Sequence, residues 1–172
     1  MITGEIKSKV DKIWETFWTG GVTNPLSVIE QITYLLFIRG LDEVETKREK
    51  EAVVLGIPYK PIFPADKQRL RWGQFKNVEA ETMYQIVSQE VFPFIKELHG
   101  DKESTYAQYM ADAIFIIPTP VLLERIVPSL AAIPMDDRDT KGDLYEYLLS
   151  KIATAGTNGQ FRTPRHIIQM IV

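Results

Sequence analysis

Apolar residues recur at helical spacing along almost the whole chain. Ile6, Val10, Ile13, Trp14, Phe17 and Trp18 follow one another at steps of three, four and one, with Lys7, Lys9, Asp11 and Lys12 mostly opposite. That stripe predicts an amphipathic helix over residues 5–18, closed by Gly20-Gly21. Asn24-Pro25 then reads as a cap followed by a first-turn proline, whose missing N–H costs nothing there. Val28, Ile29, Ile32, Leu35, Leu36 and Phe37 give the second helix a broad apolar face and a central place, and the pattern runs on through Leu41 and Val44 into a charged tail over 45–51. Pro58, Pro61 and Pro64 forbid a regular helix in the stretch that follows. Helical spacing resumes over 78–98, with Asn77 as the cap and Pro93 as a kink.

Ser104 or Thr105 opens another predicted helix, through Tyr106, Tyr109, Met110, Ala113, Ile114 and Ile117, that Pro118 stops. Thr119-Pro120 caps the next, with Leu122, Leu123, Ile126 and Leu130 on its apolar face and Pro128 inside it as a bend or an end. Leu144, Tyr145, Leu148, Leu149 and Ile152 mark a helix over 141–153. Thr163-Pro164 opens a last one, carrying Ile167, Ile168, Met170, Ile171 and Val172. Short strand candidates are confined to Val53-Val54-Leu55, so the fold class expected is all-α, a helical bundle-like domain. The chain stops inside an apolar helix. The expectation is therefore an N-terminal piece of a longer protein, divided into a helical domain over 1–155 and the start of a further domain over 156–172.

Composition narrows the chemistry. With 45% hydrophobic residues, the 172-residue chain can bury a core. The net charge of −3 gives no overall pull toward nucleic acid, so such a contact needs a local patch. No cysteine is present, which excludes disulfides, thiolate zinc sites and a cysteine nucleophile. The two histidines, His99 and His166, are isolated and have no visible serine–acid arrangement around them, so no hydrolase triad is expected. The run from Asp137 to Gly142 superficially resembles a calcium loop, but Lys141 occupies a ligand position and Leu148 stands where a bidentate glutamate belongs. No metal site is predicted. No apolar run reaches the ~18 residues of a membrane span. Residues 1–12 lack a signal-peptide core, and a cytoplasmic location is the default expectation.

Two segments carry candidate chemistry. Residues 59–76 hold Lys60, Lys67, Arg69, Arg71 and Lys76 against a lone Asp66, with Phe63, Trp72 and Phe75 interleaved. This patch either touches a nucleic-acid backbone with packing on its aromatics, or is a solvated loop whose aromatics plug the core. The second segment is Gly159-Gln160-Phe161-Arg162-Thr163-Pro164-Arg165. A helix beginning at Thr163 directs free N–H groups outward and favours a carboxylate or phosphate, with Arg165 adding charge.

Taken with Gly142-Asp143-Leu144-Tyr145-Glu146-Tyr147-Leu148-Leu149, that second segment resembles the join between two parts of the modification (M) subunits of type I restriction–modification systems, which are adenine-specific DNA methyltransferases. The Trp14 helix, the run Tyr34-Leu35-Leu36-Phe37-Ile38, Arg71-Trp72, Ala113-Ile114-Phe115 and Ile117-Pro118 are similar to their helical N-terminal domain. The resemblance implies transfer of a methyl group from S-adenosylmethionine to the exocyclic amine of adenine in DNA. It implies that Gln160, Phe161, Arg162, Thr163, Pro164 and Arg165 line part of the cofactor pocket. It also implies a region that clamps DNA and assembles with a specificity (S) subunit, a second M subunit and a restriction (R) subunit. No Gly-x-Gly and no Pro-Pro occur, so neither the glycine-rich cofactor turn nor the Asn/Asp-Pro-Pro-aromatic motif lies in this chain, and no catalytic residue is expected in it. The 172 residues alone are expected to be inactive. Readings of another class are a free-standing helical protein-interaction module, or a small nucleic-acid-binding regulator that uses the basic patch.

Overall fold

The computed structural model describes residues 4–98, 110–135 and 138–155, and among them every regular element is helical. The first helix, α1 (Gly4–Thr19), buries Ile6, Val10, Ile13 and Phe17. It ends as a Schellman motif: Gly21 takes φ 101, the Val22 N–H donates to the Phe17 carbonyl at 3.0 Å, and the Gly21 N–H donates to Trp18 at 3.3 Å. The expected stripe splits here, since Trp14 is only half-buried and Trp18 is exposed.

The second helix, α2 (Pro25–Leu55), starts as the sequence predicts. The Asn24 side chain accepts from the Leu26 N–H at 2.9 Å and the Ser27 N–H at 3.4 Å. Its first half is buried nearly all round, including Gln31 and Thr33, as suits a helix enclosed by others. Its second half leaves the core except for Glu45. Val53, Val54 and Leu55, the strand candidates, are instead the exposed last turn of this helix, which Gly56 closes at φ 65.

The proline-rich stretch forms no long helix, yet it is not shapeless. A 3₁₀ turn (Ala65–Leu70) and a single helical turn, α3 (Trp72–Phe75), lay Phe63, Leu70, Trp72 and Phe75 into the core. The next helix begins later than Asn77 implies, because residues 76–78 still belong to the turn after α3. It comprises α4 (Ala80–Ile86), a π turn (Val87–Val91) and α5 (Phe92–Lys96). Pro93 cannot donate to Gln89, and the widened turn lets the Phe92 N–H reach the Val87 carbonyl instead. The expected kink is thus accommodated as a π turn.

The helix expected to run to Ile117 is corrected. Its end lies at Ala111, and residues 113–119 carry no regular secondary structure. Pro118 and Pro120 remove two donors and disfavour helical backbone before them. The buried Gln31 side chain satisfies this strip, donating to the Ile114 carbonyl at 2.8 Å and accepting from the Ile116 N–H at 3.3 Å. The Tyr84 hydroxyl donates to the Ile117 carbonyl at 2.8 Å. Helix α6 (Pro120–Ala131) is capped by Thr119, whose hydroxyl accepts from the Leu122 N–H at 3.2 Å, and Pro128 does not break it. Arg39 of α2 closes the other end, donating to the Leu130 and Ile133 carbonyls at 2.8 and 2.7 Å. The last described helix, α7 (Arg138–Ala155), packs on α1 and α2 through Leu144, Tyr145, Leu148 and Ile152. The core is shared by α1, α2, α4 and α6, with the 57–78 segment wrapped against α2.

Candidate functional site

The basic segment is held to α2 by three acids at helical spacing. Asp42, Glu45 and Glu49 fall on one face of α2, and each receives donors from the loop. The Arg71 guanidinium lies in the middle. Its Nε donates to Asp42 at 2.6 Å and one Nη to Glu49, and it also reaches Gln68 at 3.1 Å and Thr46 at 3.0 Å. Asp42 accepts in addition from the Gly73 N–H at 2.8 Å. A Cβ at position 73 would stand 3.0 Å from that carboxylate, so glycine permits the close approach. Glu45, 1% exposed, accepts from the Phe63 N–H at 2.7 Å through Oε2, while Oε1 has no partner. Burial works against the Arg71 charge, but its hydrogen bonds to Asp42 and Glu49 and their charges raise its pKa overall.

The five cations named from the sequence therefore separate. Arg71 is enclosed, its side chain 12% exposed, and works as a structural counter-ion. Arg69 reaches across to Glu90 of the π turn, and that hydrogen bond holds the Glu90 carboxyl below its ordinary range, with Lys67 adding its charge. Lys60 is exposed, Lys67 and Lys76 are half-buried, and none of the three has an ion-pair partner among the described residues. The interleaved aromatics are not available for stacking on bases: Phe63, Trp72 and Phe75 are all buried, and Phe63 stacks on Phe94 at 5.2 Å.

A second polar seam joins α1 to α7. Asp11 accepts from the Tyr147 hydroxyl and pairs with Lys151 at 2.7 Å. The Lys151 ammonium lies 5.5 Å from the Trp14 ring centre and 5.3 Å from that of Tyr147, within cation–π range. Burial tends to raise the Asp11 carboxyl, but hydrogen bonds from Lys151 and Tyr147, and the charges of Lys151 and Lys7, bring it below its usual value. Burial and the Asp11 bond push the Tyr147 phenol up to about 12.

The strip from Gln160 to Arg165 lies outside the described residues, as do His99, His166 and Asp137. Among the described residues no cluster of acids and histidines could hold a metal ion, and no helix is long and apolar enough to cross a membrane. Sequence reasoning missed both acid-centred seams. The spacing of Asp42, Glu45 and Glu49 was a usable signal for the first; nothing local signals that Asp11 and Tyr147, 136 positions apart, meet.

Comparison with known proteins gives this geometry a context. Residues 6–130 match the family described as the HsdM N-terminal domain, and residues 136–172 match the family described as N-6 DNA methylase. A curated relative is the type I restriction enzyme EcoEI methylase subunit of Escherichia coli, 26% identical over 164 residues, covering 88% of this chain and 32% of the relative. The chain thus spans about a third of that relative's length. Two solved structures share the fold. One is a modification subunit of a putative type I restriction enzyme from Vibrio vulnificus YJ016, with a TM-score of 0.71 and 20% identity, covering 100% of this chain and 40% of that one. The other comes from work on complex assembly and conformational transition of the type I R-M system, with a TM-score of 0.67 and 22% identity, covering 92% of this chain and 33% of that one.

Proposed function

The chain belongs to the HsdM N-terminal domain family, and from that premise we propose that it is the N-terminal region of a type I modification subunit, working as part of an adenine-specific DNA methyltransferase. One observation carries the reading: within one chain, the match to the HsdM N-terminal domain over 6–130 is followed directly by a match to the N-6 DNA methylase family over 136–172. The reaction would move a methyl group from S-adenosylmethionine to the exocyclic amine of adenine. The target base has to leave the duplex for that chemistry. In this reading Gln160, Phe161, Arg162, Thr163, Pro164 and Arg165 contribute one wall of the cofactor pocket, and the remaining catalytic residues come from outside these 172 positions. The helical region, which we place at 1–155, supports DNA clamping and assembly with specificity, restriction and second modification subunits in the cytoplasm.

The full reading frame, co-expressed with its specificity subunit, is expected to transfer labelled methyl groups to adenine, and residues 1–172 alone to transfer none above a boiled control. Transfer to cytosine, or activity in the isolated fragment, overturns the assignment. DNA binding by the basic segment rests on Lys60, Lys67 and Lys76, since Arg71 is enclosed and Arg69 would first have to leave Glu90. Replacing those three lysines by Ala in the assembled enzyme should flatten the salt dependence of DNA binding by roughly one unit for each phosphate left without its lysine. An unchanged slope assigns the segment to scaffold alone.

A further inference from the structure

Between α1 and α7 lies an open groove of about 420 Å³, lined by Asp11, Trp14, Glu15, Trp18 and Lys151. Four of these residues fall on one stripe of α1, separate from the stripe that enters the core. The stripe is unusual for a surface. Trp18 is 41% exposed although it belongs to a residue type that contributes large areas to cores and interfaces. The groove already displays its own chemistry. Lys151 is held there by the Asp11 carboxylate and the Trp14 and Tyr147 rings. Lys7, one turn earlier on α1, lies against the Tyr147 ring at 5.7 Å and does not line the groove. Once Asp11 and Lys151 have neutralised each other, Glu15 and the Trp18 indole remain, and Glu15 has no ion-pair partner among the described residues.

We propose that this groove is a docking site for an arginine side chain presented by a protein partner, with the guanidinium stacked on the Trp18 indole and paired with Glu15. A planar guanidinium suits a flat indole and a carboxylate together better than an ammonium does, because it can stack and form forked hydrogen bonds at once. The lining itself carries one net negative charge, Asp11 and Glu15 against Lys151, which favours a cation over a phosphate at Glu15, although Lys7 and Lys12 flank it on α1. The assignment is independent of the methyltransferase reading. It also separates two surfaces of one domain: lysines on the 57–78 segment, and a groove on α1 where Glu15 stands beside an exposed indole.

The chain carries its own control, since its three tryptophans are Trp14, Trp18 and the buried Trp72. The indole N–H signals of residues 1–172 are followed by NMR while a blocked arginine tripeptide is added. A citrulline tripeptide, a glutamate tripeptide and a short DNA duplex serve as comparisons. The expected result is a saturable shift at Trp18 and Trp14 with Trp72 unmoved, and none with the other three probes. Glu15→Gln should weaken binding about three- to fivefold, the worth of one exposed ion pair. Trp18→Ala should abolish it. Lys151→Met, which removes the resident cation, should tighten it. A non-saturating shift, equal binding of citrulline, movement of Trp18 by DNA, or unchanged affinity in Glu15→Gln overturns the proposal. Glu15 and Trp18 lie outside the core, so these variants fold.

Discussion

Two acid-centred seams hold this domain's outer pieces, and they are built to opposite designs. Along α2, Asp42, Glu45 and Glu49 face a loop that brings one guanidinium and two backbone N–H groups, and Arg71 and Asp42 are 12% and 14% exposed. Along α1, Asp11 is 44% exposed and meets a phenol and an ammonium from α7. The first seam closes around Arg71 and Asp42: the guanidinium is bonded to the Asp42 and Glu49 carboxylates, to Gln68 and to Thr46, and Asp42 also takes the Gly73 N–H. Glu45 Oε1 is buried without a partner, and Glu49, 42% exposed, forms the solvent edge. The second leaves Glu15 and Trp18 facing outward beside it. A shielded seam is what a fold needs to fix a loop that has no long helix of its own. An open, solvated seam stabilises less and keeps groups free for a partner.

The sharpest way to break that contrast is to empty the first seam. Arg71→Ala leaves the enclosed Asp42 carboxylate without its counter-ion and beside the more exposed Glu49. The expected loss is about 2–4 kcal/mol, a little under that for a fully buried pair, read as a lower denaturant midpoint. A loss no larger than that of an exposed pair would show that water already screens this seam, and the contrast would fail. Glu45→Ala comes next. It strands the buried Phe63 N–H at an expected cost of about 1–3 kcal/mol, while Glu45→Gln keeps the acceptor and should cost less. If Gln proves as damaging as Ala, the carboxylate charge, and not its hydrogen bond, is what the loop requires.

How much of this is legible in the sequence depends on the range of the interaction. Elements set by local chemistry read well: the Asn24 and Thr119 caps with their following prolines, the glycine stop at Gly21, and the core positions of α2 and α6. Elements set by distant partners do not. The 113–119 strip has helical periodicity, yet it carries no regular structure, with two prolines in or beside it and Gln31, 83 and 85 positions away, taking its backbone groups. Val53 to Leu55 has strand propensity but simply continues a helix already propagating. In the basic segment the aromatics and charges are visible, but the division of the five cations is not. It is fixed by acids on α2 and on the π turn, between 21 and 29 positions away. The α1 stripe also hides a choice, since apolar spacing alone cannot tell Phe17, fully buried, from Trp18 beside it.

The second seam provides the smaller and more revealing test. Tyr147→Phe removes one hydroxyl from a half-exposed carboxylate, and the Lys151 pair remains, so the expected loss is only about 0.5–1 kcal/mol. Its dependence on pH identifies it. The bond needs an ionised Asp11 and a neutral Tyr147. The Asp11 pKa is lowered in the folded chain, so its contribution is present above the ordinary value of 3.8 and is lost as pH falls through the depressed folded one. The Tyr147 pKa is raised, so its contribution is complete below the ordinary value of 10.0 and is lost as pH rises through about 12. The difference in stability between the parent chain and Tyr147→Phe should therefore be flat across neutral pH and shrink at both extremes. The Arg71 guanidinium is hydrogen-bonded to Asp42, Glu49, Gln68 and Thr46 and, among the described residues, to no phenol. The neighbouring Tyr59 phenol is raised by burial and by the charges of Glu45 and Glu49 while Arg71 opposes the rise, so the cost of Arg71→Ala should not shrink on the alkaline side. Denaturant midpoints measured from acid to alkaline pH for both variants decide the matter. If both costs vanish together on the alkaline side, the phenol is not what distinguishes the α1–α7 seam, and the two seams are one design after all.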